Sequence, residues 1–327
     1  NEEFIKSLSD PKIFKNKINI TRISKVRFHL NWRILNFLIV GTIRNCQRQI
    51  FQTIKCLDKS LYFANKIEYF FVESDSDDKT LESLKELSTQ KKNFRYESFG
   101  RLRTKLPIHT QRLALCRNRC LEELKSKKNG WVDYLIVVDT DGVCRNIDSQ
   151  VIKECISEKG WSAQTANVKG AYYDIWALRH NIWSPNDCWQ ATKEELNIGF
   201  SRFESESRNV YSRMIKINPS KKIIAVDSAF GGLAIYRKSS IPDNAKYIGL
   251  SRNGEKICEH ISFHNSIKQN QGSIFINPKL IIGPSPYGHT KYSGILGLNR
   301  FWARCFTDSA IDYFKQILHK IKRLFLN

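Results

Sequence analysis

Three apolar runs alternate with helical segments in the first half of the chain, and this alternation limits the fold more than any other feature. The runs are ILNFLIVGTI (34–43), IEYFFVE (67–73) and DYLIVV (133–138), and the helical segments are 44–65, 78–90 and 111–127. Strands connected through helices form a sheet with both faces covered. The sequence therefore predicts an α/β fold, a doubly wound, mixed and mainly parallel sheet flanked by helices.

The second half of the chain is less regular. Strand patterns recur at 222–226, 233–237 and 274–282, between segments rich in aromatic and polar residues. We expect residues 1–150 to form a nucleotide-sugar-binding half and 151–300 an acceptor-binding and catalytic half. Residues 301–327 are expected to form a basic amphipathic C-terminal helix.

The net charge of +21, over 327 residues, suggests an anionic partner. A nucleic-acid-binding protein would carry a basic stripe interleaved with exposed aromatics, but here the lysines are scattered. Nucleic acid is therefore not the expected partner. The nine cysteines are odd in number and show no paired CxxC spacing, which predicts reduced thiols and a cytoplasmic protein.

The C-terminal residues Ala310–Asn327 repeat apolar side chains at helical spacing, with lysine and arginine at other positions. Two interpretations stay open. The segment is either an interfacial helix for an anionic membrane surface or a helix packed on the protein.

The most informative local motif is YLIVVDTDGV (134–143), where an apolar strand runs directly into Asp139-Thr140-Asp141. Ligands of open α/β sheets bind beyond the carboxyl ends of parallel strands. Two carboxylates at such an end can hold Mn²⁺ or Mg²⁺, and the ion then clamps a diphosphate. We expect Asp139 and Asp141 to bind the metal, with Asp139 also contacting the donor.

Polar groups after the first two strands are candidates for binding the nucleotide. VGTIRN offers Gly41, Thr42 and Arg44, and the acidic turn FVESDSDD offers Glu73 and Asp75. Helix-capping by this turn is the competing interpretation. On the helix before the DTD motif, Arg117 is the favoured partner of a donor phosphate.

Residues 161–183 combine aromatic side chains with short polar ones, a composition suited to sugar rings and hydroxyls. Asp174, Trp176 and Arg179 are the candidates there for binding the acceptor. Gly231 and Gly232 add a place where backbone can approach a ligand, and Asp227 precedes them.

The order of motifs resembles the GT-A glycosyltransferases: NFLIVGTIRN (36–45), VVDTDG (137–142), FGG (230–232), CEH (258–260) and a late histidine. The resemblance implies that Glu259 is the catalytic carboxylate, with Asp227 as a second candidate. It also implies that His289 or His264 completes the metal site. RLALCRNRCLEEL (112–124) and YYDIWALRH (172–180) are similar to the capsule-associated mannosyltransferase-like family of fungi, which implies an activated mannose donor.

The sequence thus predicts a metal-dependent glycosyltransferase that moves a sugar from a nucleotide-sugar to a glycan or lipid-linked acceptor. A sugar-phosphate nucleotidyltransferase is the alternative, although VGTIRN has one glycine where such an enzyme needs a glycine-rich loop. The donor sugar, the base, the acceptor and the stereochemical course stay open.

Overall fold

One eight-stranded sheet organises the computed structural model, which describes residues 35–284. The strands are β1 Asn36–Ile43, β2 Lys66–Glu73, β3 Phe94–Ser98, β4 Tyr134–Val138, β5 Ala163–Lys169, β6 Ile224–Val226, β7 Leu233–Arg237 and β8 Ile274–Pro284. The helices are α1 Gln49–Ser60, α2 Thr80–Gln90, α3 His109–Lys125, α4 Ser149–Ser157, α5 Cys188–Asn197, α6 Arg202–Asn209 and α7 Glu259–Gln269.

The strand order across the sheet is β3-β2-β1-β4-β7-β5-β8-β6. The β3/β2, β2/β1, β1/β4 and β5/β8 pairs are parallel, whereas β7 runs antiparallel to both β4 and β5, and β6 runs antiparallel to β8. The predicted fold class, a mixed and mainly parallel sheet flanked by helices, is confirmed.

The direction of the strands explains where the polar motifs gather. β1, β2 and β4 are parallel and end at the same edge of the sheet. Because β7 is antiparallel to β4, its first residues, which follow Gly231-Gly232, lie at that edge too. All five residues of β4 are buried, so Asp139 is the first residue of this segment to reach solvent.

Several elements differ from the sequence-based prediction. The helix expected at 44–65 spans only Gln49–Ser60, because residues 44–48 make the turn that leaves the sheet edge. Strand β5 was not predicted at all, since its sequence AQTANVK is mostly polar although six of its seven residues are buried. Its polar side chains bond internally: Gln164 donates to Cys155 O and Asn167 donates to Pro278 O.

The two expected halves share this sheet. β4 belongs to the first half and pairs along five residues with β7 of the second half. Within residues 35–284, none of the helices combines the length and the apolar character that crossing a bilayer requires. The predictions for His289 and for the C-terminal segment lie outside the described residues.

Candidate functional site

A cleft of about 150 Å³ opens at the carboxyl ends of β1, β2 and β4, against the start of α3. Its lining combines anionic, cationic and thiol side chains with backbone of the strand ends. The lining residues are Thr42, Ile43, Arg44, Cys46, Ser74, Asp75, His109, Arg112, Leu113, Cys116, Asp139, Thr140 and Asp141. The structure therefore brings the predicted DTD motif together with three of the predicted nucleotide-binding residues, Thr42, Arg44 and Asp75.

Asp139 is fixed at the floor of this cleft by the neighbouring strand. Its backbone N–H donates to Gly232 O at 2.9 Å, and its side chain, 30% exposed, accepts from Arg117 at 3.2 Å. Burial raises the pKa of Asp139 to about 7, Arg117 opposes this rise, and the carboxylates of Asp141 and Asp174 add to it. Burial is thus the main reason that the pKa of Asp139 is raised although Arg117 bonds to it.

Arg117 on α3 lies under the cleft, with only 5% of its surface exposed. Its Nε donates to Glu259 Oε1 at 2.9 Å, and its Nη2 donates to Asp139 Oδ1. The guanidinium also lies 5.0 Å from the Phe230 ring centroid. The predicted role for Arg117, direct neutralisation of a donor phosphate, is corrected: two carboxylates and an aromatic face already surround the buried cation.

Glu259 is the first residue of α7 and is buried. Its carboxylate accepts from Nε of Arg117 while Asp139 accepts from Nη2, so one guanidinium joins the predicted metal-binding carboxylate to the predicted catalytic one. Asp174 is the third carboxylate of this cluster, and its Oδ2 accepts from Gly231 N at 2.9 Å. The charge of Asp174 contributes to the raised pKa of Asp139, and the charge of Glu259 contributes to that of Asp174. Burial is the main cause of the raised pKa of Asp174.

Gly231 and Gly232 occupy positions where both the backbone angles and the available space exclude a side chain. Gly231 and Gly232 have φ angles of 70° and 93°, a backbone region that favours glycine. A Cβ on Gly231 would lie 2.6 Å from Ala166 O, and one on Gly232 would lie 3.0 Å from the Tyr173 hydroxyl. The predicted pair is thus part of the site, where its backbone bonds Asp139 and Asp174.

Cations form the rim of the cleft. Arg44 and Lys256 are exposed, and Arg112 is held by its bond from Nε to Asp75 Oδ2 at 3.1 Å. Partial burial lowers the pKa of His109, and the charges of Arg112, Arg44 and Lys256 lower it further, which places these cations around one imidazole. The carboxylates at the base of the cleft could bind a metal ion, and the cations around its opening could attract an anion bound to that ion.

Glu73 is the last residue of β2 and Asp75 follows the strand, yet only Asp75 lines the cleft. Asp75 accepts from Arg103 N at 2.8 Å as well as from Arg112. Glu73 accepts from Ser76 N at 3.0 Å and from the Ser98 hydroxyl. Its carboxylate therefore holds the turn after β2, whereas the competing interpretation, helix capping, is not seen at Lys79, the N-cap residue of α2, which makes no side-chain cap bond.

Trp176 and Arg179, predicted to bind acceptor, bond to protein instead. The Trp176 indole donates to Asp187 Oδ2 at 3.0 Å, and Arg179 Nη2 donates to the same atom at 2.7 Å. Asp187 also caps α5 by accepting from the backbone of Trp189 and Gln190. This contact anchors the start of α5, and of the three predicted acceptor side chains only Asp174 reaches the carboxylate cluster.

Hydrogen bonding contradicts the predicted metal-binding role of His264, and Asp227 lies outside the lining of the cleft. His264 is buried with both ring nitrogens occupied, by Ser228 Oγ at 2.7 Å and Tyr236 OH at 2.8 Å, so it has no nitrogen for a metal. Asp227 is 56% exposed and bonds Lys268 Nζ at 2.7 Å. Lys268 lies nine residues along α7 from Glu259, a rise of about 13 Å, and Asp227 is not among the residues that line the cleft.

Gly41 is explained by packing. A Cβ there would lie 2.5 Å from Val138 O and 2.7 Å from the Phe71 ring, so β1 accepts only glycine at this point.

The carboxylate oxygens of Asp139 and Asp141 are suitable ligands for a divalent ion. Asp139 and Asp141 supply hard carboxylate oxygens at a site where burial, with a smaller contribution from neighbouring carboxylates, raises the pKa of Asp139. Among residues 35–284, no group of three or more His, Cys, Asp or Glu side chains could hold an ion alone. The residues therefore fit an ion that takes its remaining ligands from a diphosphate and water.

Sequence reasoning missed two residues beside these carboxylates. His109 begins α3 and faces the cleft, but an isolated histidine gives no signal in the sequence. Tyr173 stands next to Asp174; burial raises the pKa of its hydroxyl, and the charges of Asp174, Asp139 and Asp141 raise it further. The sequence marked 161–183 as aromatic without indicating which ring reaches the DTD motif.

Comparison with known proteins found no matching protein-family model and no matching curated protein. Several solved structures match part of this chain. One is the mannosyltransferase PcManGT from Pyrobaculum calidifontis in complex with GDP-Man and Mn²⁺, at 10% identity and a TM-score of 0.42, covering 76% of this chain and 56% of that one. Another is S. aureus TarS 1–349 in complex with UDP-GlcNAc, at 13% identity and a TM-score of 0.42, covering 80% and 62%.

A third is glucosyl-3-phosphoglycerate synthase from Mycobacterium tuberculosis with Mn²⁺, UDP and phosphoglyceric acid, at 9% identity and a TM-score of 0.35. It covers 76% of this chain and 68% of that chain. The chain spans less than two thirds of the length of PcManGT and of TarS 1–349. Similarity at this level does not bear on activity.

Proposed function

We propose that this chain is a metal-dependent glycosyltransferase that moves a sugar from a nucleotide-sugar donor to a glycan or lipid-linked acceptor. The observation that carries the proposal is the bridge from Asp139 through Arg117 to Glu259. Sugar transfer needs a group that holds the donor diphosphate and a base for the acceptor hydroxyl, close to each other. The bridge brings one carboxylate of each kind to a single guanidinium at the edge where ligands of parallel sheets bind.

The donor would lie across the carboxylate floor and the cationic rim. Asp139 and Asp141 would hold Mn²⁺ or Mg²⁺, and the bound ion supplies positive charge to the departing diphosphate. Arg44 stands at the rim to pair with phosphate oxygens, and Arg112 holds Asp75 at the end of β2. Thr42 and Asp75 would then face the nucleoside. Because Arg112 and the backbone of Arg103 hold the Asp75 carboxylate, its oxygens would accept hydrogen bonds in a fixed direction.

The acceptor would approach from the side of Glu259 and Asp174. Glu259 takes the proton of the attacking hydroxyl as general base, which corresponds to an inverting reaction. Arg117 fixes the direction of its carboxylate and holds Asp139 in register with it. Asp174 is the second candidate base, and the backbone N–H of Gly231 orients it. A mannosyl donor is the finer form of the proposal, supported only by the sequence resemblance.

The test is a screen of nucleotide-sugars for metal-dependent hydrolysis and transfer, followed by a thermal shift with the matching nucleoside diphosphate and Mn²⁺. We expect one donor to be consumed with release of the nucleoside diphosphate, and that diphosphate to stabilise the protein only with the ion. Release of pyrophosphate from a nucleoside triphosphate and a sugar phosphate would instead identify a nucleotidyltransferase. Stabilisation by oligonucleotides and by no nucleotide would contradict both.

A further inference from the structure

Three residues at the rim of the cleft, Arg44, His109 and Lys256, have side chains that do not bond to the protein. All three residues are exposed, and within residues 35–284 none of their side chains takes part in a hydrogen bond or an ion pair. Arg44 and His109 also line the cleft itself. Basic groups without partners at the opening of a cleft raise the local concentration of anions.

Arg112 differs from these three residues, because the protein already uses its donors. Its Nε bonds Asp75, and its Nη1 donates to the carbonyls of Leu106 at 2.7 Å and Pro107 at 2.8 Å. Arg112 therefore contributes positive charge without being free to turn toward a ligand. In the described part of the chain, Arg44 and His109 are the cleft-lining side chains whose nitrogens are all free of protein partners.

His109 is the one member of this group whose charge can change near neutral pH. Arg112 lies three residues further along α3, on the same face of the helix. Burial lowers the pKa of His109, the charges of Arg112, Arg44 and Lys256 lower it further, and the charge of Glu259 opposes them. The other carboxylates of the cleft are Asp75, Asp139 and Asp141. Without a ligand, the imidazole is therefore neutral at pH 7.

A bound diphosphate would change this balance, because its negative charge would lie among the same cations. It would offset the repulsion between Arg44, Arg112 and a proton on His109. A protonated imidazole donates from both of its nitrogens, whereas a neutral one donates from a single nitrogen. The ligand and the proton therefore favour each other's binding.

We propose that His109 binds the phosphate groups of a diphosphate ligand beside Arg44, and that it takes up a proton from the solvent as it does so. The inference rests on the proposed function for the choice of ligand, the donor diphosphate. One N–H bond forms on the imidazole, and the proton returns to the solvent when the diphosphate leaves. Through His109, affinity for the diphosphate should rise as pH falls through the pKa of the bound state, and level off below the pKa of the free state.

Isothermal titration of the full chain with inorganic pyrophosphate and Mg²⁺ tests this, because pyrophosphate carries the diphosphate without a base or a sugar. Titrations at pH 7 in two buffers with different enthalpies of ionisation give the number of protons taken up. The carboxylates and pyrophosphate itself exchange protons in every variant, so the difference between wild type and His109→Asn isolates His109.

We expect the wild type to take up about 0.3–1 proton more per bound pyrophosphate than His109→Asn. It should also bind about tenfold more tightly, the scale of one charge-assisted hydrogen bond. His109→Lys places a permanent cation at the same position. This variant should recover most of the affinity without the proton uptake, a pattern that a merely structural role of His109 would not produce.

His180→Asn is the matched control. Nδ1 of His180 accepts from the backbone N–H groups of Ile182 and Trp183, both at 3.2 Å, and asparagine keeps an acceptor there. His180 is not among the residues that line the cleft, so the variant should take up as many protons as the wild type.

Equal proton uptake by wild type and His109→Asn, or no binding of pyrophosphate by the wild type, would overturn the proposal. The proposed function can fail separately. A protein that shows proton uptake dependent on His109 but consumes no nucleotide-sugar would keep His109 as an anion-binding residue and lose sugar transfer. Sugar transfer together with equal proton uptake would keep the proposed function and remove His109 from it.

Discussion

The Nε atom of Arg117 lies 2.9 Å from Oε1 of Glu259, although the two residues are 142 positions apart in the chain. Both groups are buried, and the same guanidinium reaches Asp139. A buried charge that loses its partner is strongly destabilising. The pair therefore has consequences for stability as well as for catalysis, and substitutions at this site should be chosen to keep a hydrogen-bond acceptor for Arg117.

Glu259→Gln meets that condition, because the amide oxygen can still accept from Arg117. We expect the variant to bind nucleoside diphosphate and Mn²⁺ with near-normal affinity but to lose about 10²–10⁴-fold in transfer rate, the usual cost of losing a general base. Isothermal titration beside a transfer assay measures both quantities. Wild-type turnover in Glu259→Gln would remove Glu259 from the mechanism and direct attention to Asp174→Asn.

Asp141→Asn tests the metal. The substitution removes one hard oxygen ligand from an exposed position, so we expect the fold to survive and transfer to be abolished. Excess EDTA should abolish the wild-type activity in the same way. Asp133→Asn, at the opposite end of β4, is the matched control and should keep full activity. Undiminished transfer in Asp141→Asn or in EDTA would exclude the metal clamp.

The pH dependence of stability should report on Asp139. Its pKa is about 7 in the folded protein and about 4 in an unfolded chain, so the folded state binds the extra proton. The contribution of Asp139 to stability therefore declines as pH rises from about 4 to about 7 and is lowest above that range.

Thermal melts across this pH window measure the effect. The difference in Tm between wild type and Asp139→Asn should change with pH in that direction, and Mn²⁺ with nucleoside diphosphate should stabilise the wild type increasingly as pH rises. A difference in Tm that is constant between pH 4 and 7 would contradict the raised pKa.

Asp227→Asn should leave transfer unchanged. The residue is exposed and paired with Lys268, and surface ion pairs of this kind contribute about 0.2–1 kcal/mol. Urea denaturation should register a loss within that range, and kcat/KM should equal that of the wild type. A tenfold or larger loss of kcat/KM would return Asp227 to the candidate site.

The C-terminal segment gives a prediction from sequence alone. If Ala310–Asn327 lies on an anionic membrane surface, the full chain should bind anionic vesicles, and added salt should weaken that binding. Deletion of 310–327 should then abolish vesicle sedimentation while the Tm stays the same. A markedly lower Tm after deletion would support the alternative, a helix packed on the protein.

Part of this site could be predicted from sequence because its signals are local. An apolar run that ends in two carboxylates indicates a strand end, and β4 ends at Val138, immediately before Asp139. The glycine pair is also a local signal, since its backbone angles depend on the residue type itself. Both motifs were therefore found in the right place.

The partners of single polar side chains could not be predicted in the same way. His264 resembles a metal ligand in the sequence, and only the packing of α7 on β7 brings Tyr236 and Ser228 against its ring. Likewise, nothing in the residues around Arg117 indicates that it bonds Glu259 rather than a phosphate. Strand β5 was missed because its buried amides are satisfied by residues distant in the chain, which the pattern of hydrophobicity does not record.

The antiparallel insertion of β7 beside β4 has a mechanical consequence. Asp139 stands at the end of β4 and Gly232 just before β7, and their backbones are hydrogen-bonded to each other. The two sides of the cleft therefore rest on one continuous sheet rather than on two bodies joined by a hinge. If the proposed function holds, closure around the substrates would come from the turns and side chains above that sheet, because the backbone bond between Asp139 and Gly232 ties the floor of the cleft to the strands.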